Sequence, residues 1–233
     1  MSNKICYGII GNGLMARHFT NYLTLESIPF ILWCRKESKE SPENALKECP
    51  IILLLISDGA IDSFIISNPW LQHKKVVHFS GALNIKGCLN YHPLMTFSKT
   101  LYSIKEYRNI PFIGIKNQPS FLEIFPTLKN CYYQIDEKQK PLYHALCVIS
   151  GNFTNILWHK TFKEFEDKLN LPKEVLMPYL EKTLENIQNN PLNSLTGPIR
   201  RNDKKTIYAN IKSLQSLTWK KIYKLFVKAY KRL

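Results

Sequence analysis

Short apolar runs alternate with amphipathic stretches along the first 136 residues of the chain. Runs rich in β-branched and aromatic residues are typical of strands. Seven such runs occur: KICYGII, IPFILWC, CPIILLLIS, KKVVHFS, GCLNYHP, IPFIGIK and, as a candidate seventh, CYYQID. The intervening segments LMARHFTNYLTLES, SPENALKE and GAIDSFIIS suit helices. Strands that alternate with helices predict an α/β fold with a doubly wound, mainly parallel Rossmann-like sheet.

The pattern becomes helical near Asp136. The segments 137–170 and 172–188 suit helices, and Pro172 is well placed at a helix start. A loop dense in Asn, Pro and Gly follows (NNPLNSLTGPIRRND), and then KKTIYANIKSLQS and an amphipathic C-terminal stretch. We therefore predict a dinucleotide-binding domain at residues 1–136 and a smaller, all-helical domain at residues 137–233.

A glycine motif of the form G-x-G-x-x-A joins the first predicted strand to the first predicted helix. In this setting Gly11 permits a tight turn, Gly13 lets a pyrophosphate approach the backbone, and Ala16 lets helix and strand pack closely. Free N–H groups at the helix start would hold the phosphates. An ordinary strand–helix turn is the alternative. The residues expected at the cofactor are Gly11, Asn12, Gly13, Leu14 and Met15.

The residues at the end of the second predicted strand indicate which dinucleotide binds. An NAD enzyme places Asp or Glu there to bind the ribose 2′-hydroxyl, whereas Arg35 and Lys36 stand at that point in this chain. Arginine and lysine suit the 2′-phosphate, so we expect NADPH, with Glu37 as the residue that would favour NAD.

The loops after the third and fourth predicted strands also face the carboxyl edge of the sheet, where ligands bind. This position adds Ser57, Asp58 and Ser80 to the expected cofactor site. Capping of the following helix is the alternative role for Ser57 and Asp58.

Composition narrows the class of protein. The formal net charge of +14 raises nucleic acid as a partner, but the lysines are spread over many segments. The densest basic run, WKKIYKLFVKAYKRL, is amphipathic and suits a packed terminal helix better than a membrane-surface or nucleic-acid helix. The six cysteines form no C-x-x-C pair, and neither a signal peptide nor a membrane-spanning run is evident. We expect a cytoplasmic protein without a metal.

Three stretches carry polar side chains suited to chemistry. His92 ends a predicted strand, and His144 and Asn152 would share one face of a regular helix, with Asn155 three residues further on. The simpler interpretations are a core histidine for His144 and a loop ion pair between Arg200 and Asp203. The candidate catalytic residues are His144, Asn152 and His92. The candidate substrate-binding residues are Asn155, Thr196, Gly197, Arg200 and Asp203.

Several of these segments together resemble a family of Rossmann-like oxidoreductases with a small helical C-terminal domain: GNGLMA, HFSGAL, YHPLMTF, LYHALCVISGN, TLENI and LTGPIRRND. The family is similar to the ketopantoate reductase, β-hydroxyacid dehydrogenase and pyrroline-carboxylate reductase group, and this chain resembles its alternative (PanG-type) ketopantoate reductases in size. Many members read R-G-D where this chain has Arg201, Asn202 and Asp203. Asn tolerates the left-handed conformation, so we expect the turn to survive.

The resemblance implies an NADPH-dependent reduction of 2-dehydropantoate to pantoate. His144 would replace the lysine of ordinary ketopantoate reductases and act as the proton donor, with His92 as its rival and Asn152 orienting the substrate. Arg200 would bind the substrate carboxylate. Domains of this kind often pair, so we expect a homodimer. Reduction of another oxoacid or an imine, and nucleotide sensing without turnover, are the alternatives.

Overall fold

The computed structural model describes residues 5–231, and the chain divides into two compact units, residues 1–156 and 157–233. The described strands all lie in the first unit, where helices accompany them, whereas the second unit is helical. The strands are β1 (Tyr7–Ile10), β2 (Phe30–Trp33), β3 (Ile51–Leu54), β4 (Lys75–His78), β5 (Cys88–Pro93), β6 (Phe112–Ile115) and β7 (Tyr132–Ile135). The helices of the first unit are α1 (Leu14–Leu25), α2 (Pro42–Ala45), α3 (Asp58–Ile66), α4 (Ile104–Arg108), α5 (Phe121–Ile124) and α6 (Lys140–Cys147).

The described strands form one sheet in the order β2-β1-β3-β4-β5-β6-β7. Neighbours from β2 to β5 run parallel, β6 runs antiparallel to β5, and β7 runs parallel to β6. All seven predicted strands are confirmed. The fold is Rossmann-like and mainly parallel, followed by a helical C-terminal region.

Alternate residues of the central strands enter two separate cores because successive side chains of a strand point to opposite faces. Tyr7, Ile9 and Leu53 pack on one face with helices α1, α4 and α5. Ile10 and Leu54 pack on the other face with α2, α3 and their flanking segments. Near-complete burial on both faces explains why these strands read as continuous apolar runs rather than alternating ones.

The connection between β4 and β5, residues 79–87, contains no helix in the described chain. Parallel neighbours are usually joined by a crossover helix, so this short link is unusual. Helix α6 lies beyond β7, yet its side chains reach this link and β5: Lys140 bonds to Leu83 and Asn90, and Tyr143 contacts His92. The predicted domain boundary lies after residue 136, where the helical region does begin, whereas the compact units divide after Ile156. This difference arises because α6 packs on the sheet.

A π-helix, Val148–Phe153, follows α6 and leads into α7 (Thr154–Leu169). The remaining helices of the second unit are α8 (Met177–Asn189), α9 (Gly197–Arg200), α10 (Lys204–Ser213) and α11 (Leu217–Tyr230). Pro172 precedes a 3-10 turn, Lys173–Leu176, rather than α8 itself. Helix α9 lies inside the segment predicted to be a loop. None of the helices in the described chain is long and apolar enough to cross a membrane.

Candidate active site

The glycine motif forms the predicted turn. Gly11 follows β1 with a φ of +131°, and a Cβ there would collide with the carbonyl oxygen of Leu55. Gly13 is the N-cap of α1 with an ordinary φ of −68°, and a Cβ there would meet no atom within 4 Å. Ala16 is buried between helix and sheet. Gly11 is therefore required by the fold, whereas Gly13 leaves open space in front of the helix N-terminus.

An open cavity of about 580 Å³ lies over this turn, a size typical of small-molecule sites. The exposed side chains of Arg35 and Lys36 line it from the turn that follows β2, and Ser57 lines it from the N-cap of α3. Ser57 thus occupies the N-cap position, as the capping alternative expected, but its side chain makes no capping hydrogen bond in the described chain. The remaining lining includes the five residues of the glycine turn that were expected at the cofactor.

A second cavity of about 220 Å³ adjoins the first, because Met15, Leu55 and Ile56 line both. Its polar lining consists of Asp58, Ser80, Gly81 and His92. The hydroxyl of Ser80 donates to Oδ2 of Asp58 at 2.6 Å and accepts from the N–H groups of Ala82 and Leu83.

The two candidate histidines meet at Gly81. A Cβ on Gly81 would lie 2.7 Å from Cδ2 of His144 and 3.0 Å from Nε2 of His92, so only glycine leaves room for both rings. The structure thus brings His92, His144 and Ser80 together at the carboxyl ends of β4 and β5. Burial, followed by the neighbouring His144 and Lys140, lowers the pKa of His92 to about 4 against the opposing effect of Asp58.

A buried polar network that sequence reasoning missed supports this cluster. The Lys140 side chain is only 3% exposed, and its ammonium donates to Oδ1 of Asn90 at 2.7 Å and to the Leu83 carbonyl. The amide of Asn90 donates in turn to the Ser80 carbonyl at 2.9 Å. Its Nδ2 also lies 3.3 Å from Nδ1 of His78, whose Nε2 has no hydrogen-bond partner in the described chain. The only sequence signal was the position of Lys140 one helical turn before His144.

The predicted stripe of His144 and Asn152 assumed a regular helix, and this assumption is wrong. The π-helix has hydrogen bonds between residues five apart, so the four-residue spacing no longer defines one face. Asn152 is exposed, and Asn155 of α7 donates to the Gly151 carbonyl of the preceding π-helix at 2.9 Å. Their contact with a substrate stays a prediction.

The last group of candidates lies in the second unit. Asp203 caps α10, accepting from the N–H of Thr206 at 3.0 Å and from its hydroxyl at 2.7 Å. Arg200 donates to the carbonyls of Asn193 and Leu195. The alternative of an ion pair between Arg200 and Asp203 is wrong for the described residues, because both side chains have other partners.

The turn around this segment has the expected backbone. Asn202 has a φ of +52°, which confirms that asparagine supports the left-handed turn in place of glycine. Gly197 also has a positive φ, +81°, directly after the exposed Thr196. The roles of Thr196, Gly197, Arg200 and Asp203 in substrate binding stay predictions.

Comparison with known proteins agrees with this geometry. Residues 116–230 match DUF2520, a family described as a domain of unknown function. No curated protein matches the sequence. A candidate NADP oxidoreductase from Bacteroides fragilis is similar over 97% of both chains, with 20% identity and a TM-score of 0.77. A protein from Thermotoga maritima is also similar over 97% of both chains, with 20% identity and a TM-score of 0.70.

Pyrroline carboxylate reductase from Plasmodium falciparum, solved with NADP bound, is similar over 97% of this chain and 92% of its own. The identity is 15% and the TM-score 0.60. At such identities these likenesses establish the shared Rossmann-like fold.

Proposed function

We propose that this chain is an NADPH-dependent reductase of a small 2-oxo acid, with 2-dehydropantoate (ketopantoate) as its substrate. The observation that carries the proposal is the continuity of the two cavities through Met15, Leu55 and Ile56. A dinucleotide held with its pyrophosphate over Gly13 would extend along this shared wall. Its nicotinamide end would then face the cavity that holds His92 and Ser80.

The cofactor assignment rests on the first cavity. The glycine turn, the free N–H groups of α1 and the two cations after β2 suit the pyrophosphate and the 2′-phosphate of NADPH. NADP bound in the similar P. falciparum structure supports this choice. When bound, NADPH supplies the hydride that reduces the carbonyl carbon.

The protein groups that act in the proposed reaction are assigned to the second cavity. Addition of a hydride to the carbonyl carbon moves the C=O π electrons onto oxygen, and a proton must follow. We assign that proton to His144, whose ring lies beside Gly81, a residue that lines this cavity. Arg200 is the proposed partner of the substrate carboxylate, on the chemical ground that bidentate guanidinium suits a carboxylate.

The test is a panel of 2-oxo acids, with ketopantoate first, assayed by loss of NADPH or NADH absorbance. An imine substrate forms a second arm, because the P. falciparum neighbour is a pyrroline carboxylate reductase. Turnover of ketopantoate with NADPH supports the proposal. Turnover of the imine alone would replace the substrate class, and tight NADPH binding without turnover of either would favour a nucleotide sensor.

Cofactor choice is tested by Arg35→Ala. Loss of a charge-assisted bond costs roughly 1.5–3 kcal/mol, so the KM for NADPH should rise about 10- to 100-fold with little change for NADH. Lys39→Ala is the matched control, because Lys39 is an exposed cation that does not line the cavity. Equal losses with both cofactors would contradict the assignment of Arg35.

A further inference from the structure

Tyr143 makes a direct contact with His92 that neither the motif nor the proposed reaction required. Its hydroxyl lies 2.6 Å from Nδ1 of His92, and the two rings meet edge to face with centroids 5.6 Å apart. Tyr143 reaches this position from α6, one residue before His144, while His92 ends β5. The two elements are thereby joined at the cavity.

The protonation states allow the Tyr143 hydroxyl to donate this hydrogen bond. Burial, followed by the nearby Cys147 thiol, raises the pKa of Tyr143, so the phenol keeps its proton and can donate it to Nδ1 of His92. Four groups surround His92: the Tyr143 hydroxyl, His144, Lys140 and Asp58. Burial, followed by His144 and Lys140, outweighs Asp58 and lowers the pKa of His92 to about 4, so the His92 ring is neutral at neutral pH. When Nδ1 accepts from the phenol, the single proton of the neutral ring resides on Nε2.

The position of Nε2 explains how this tautomer would act in the proposed reaction. A Cβ on Gly81 would lie 3.0 Å from Nε2, and Gly81 and His92 both line the second cavity. The absent side chain therefore leaves Nε2 unobstructed on that side. A neutral imidazole is a poor acid, but its N–H is a good hydrogen-bond donor to oxygen that is gaining negative charge.

We propose that Tyr143 is a positioning residue that fixes His92 as the Nε2–H tautomer, and that this N–H donates to the carbonyl oxygen of the substrate. The inference rests on the proposed function and divides the work between the two histidines. As hydride adds to carbon and the π electrons move to oxygen, His92 stabilises that oxygen through its hydrogen bond and keeps its own proton. His144 gives the proton that completes the alcohol and is reprotonated from water.

The experiment uses the full chain labelled with ¹⁵N-histidine, and long-range ¹H–¹⁵N NMR reads the tautomer of His92 without substrate. His92→Gln identifies the signals by their loss. In the wild type we expect a protonated Nε2 and an unprotonated Nδ1. In Tyr143→Phe we expect a mixture of tautomers, and a kcat for ketopantoate reduction about 2- to 12-fold lower with an unchanged KM for NADPH, as for loss of one neutral hydrogen bond. Tyr133→Phe, at an exposed tyrosine of β7, should change neither.

Two results would overturn the inference. A Tyr143→Phe protein with the wild-type tautomer would remove the positioning role, and a changed tautomer with an unchanged kcat would remove the N–H of His92 from the reaction. Absence of turnover in the wild type would instead contradict the proposed function, while the tautomer signal would still decide the role of Tyr143. Circular dichroism and urea unfolding of both variants separate these results from misfolding.

Discussion

Lys140 allows a sharp test of the buried network, because a buried lysine makes stability depend on pH. Burial lowers the pKa of Lys140 from 10.5 to about 8, opposed by Asp58 and Glu137. The unfolded chain therefore binds more protons than the folded chain between these two values. By linkage, this group destabilises the fold at neutral pH, and stability is recovered as the pH rises through that window.

The size of the effect follows from the shift. One pKa unit corresponds to about 1.4 kcal/mol, so the free energy of unfolding should gain about 2–3 kcal/mol from Lys140 between about pH 7 and pH 10. Buried thiols act in the opposite direction, because raised pKa values of Cys49 and Cys88 cost stability once the unfolded thiols ionise. A Lys140→Met variant shares those thiols but lacks the ammonium. The difference between the two proteins therefore isolates Lys140.

The assay is urea unfolding of wild type and Lys140→Met at several pH values from neutral to about pH 10. The variant leaves the oxygens of Asn90 and Leu83 without their donor, so its absolute stability can move in either direction. Only the pH dependence of the difference between the two free energies of unfolding is diagnostic. Between about pH 7 and pH 10, the free energy of unfolding of the wild type should rise relative to that of the variant by about 2–3 kcal/mol. Parallel curves, differing by a constant within about 0.5 kcal/mol, would refute a strongly lowered pKa for Lys140.

Four further substitutions test other parts of the molecule. Gly13→Val should keep the melting temperature within a few degrees but abolish NADPH binding in a fluorescence titration; retained binding would place the phosphates elsewhere. Gly11→Ala should instead destabilise the fold, because its Cβ meets a backbone carbonyl. Asp203→Ala should lower the melting temperature by about 2–4 °C through loss of the α10 cap, and no shift would show that the cap is dispensable. Arg200→Ala should raise the KM for the oxo acid more than that for NADPH; an unchanged oxo-acid KM with a lower melting temperature would assign Arg200 to holding its loop.

The sequence pattern predicted the strands well because burial on both faces leaves a strong local signal. Ile51–Leu54 and Tyr7–Ile10 are apolar throughout and lie at the centre of the sheet. The direction of a strand within the sheet leaves no such signal, so the antiparallel pairing of β6 with β5 could not be predicted. The glycine turn was predictable for the same local reason: Gly11 must have a positive φ, and its spacing to Gly13 is visible in the sequence.

The polar residues of the site were only partly predictable. His92 and Ser80 stand at strand ends, where topology places ligands, and they do line one cavity. Lys140 and Tyr143 act through contacts with β5 and the preceding link, which lie about fifty residues earlier in the chain. A lysine near the start of a helix is normally solvated, so its burial depends on tertiary packing alone.

The helix-free link between β4 and β5 has a consequence for how the chain folds. Lys140 and Tyr143 of α6 bond to Leu83, Asn90 and His92 in and after this link. A polypeptide ending at residue 136 would lose these bonds and leave the link unsupported. Such a fragment should be prone to aggregation, while a fragment ending at residue 156 retains Lys140 and Tyr143. We therefore expect the smallest autonomous folding unit of this protein to be longer than its sheet. The histidine cluster is completed only when the segment after β7 has docked.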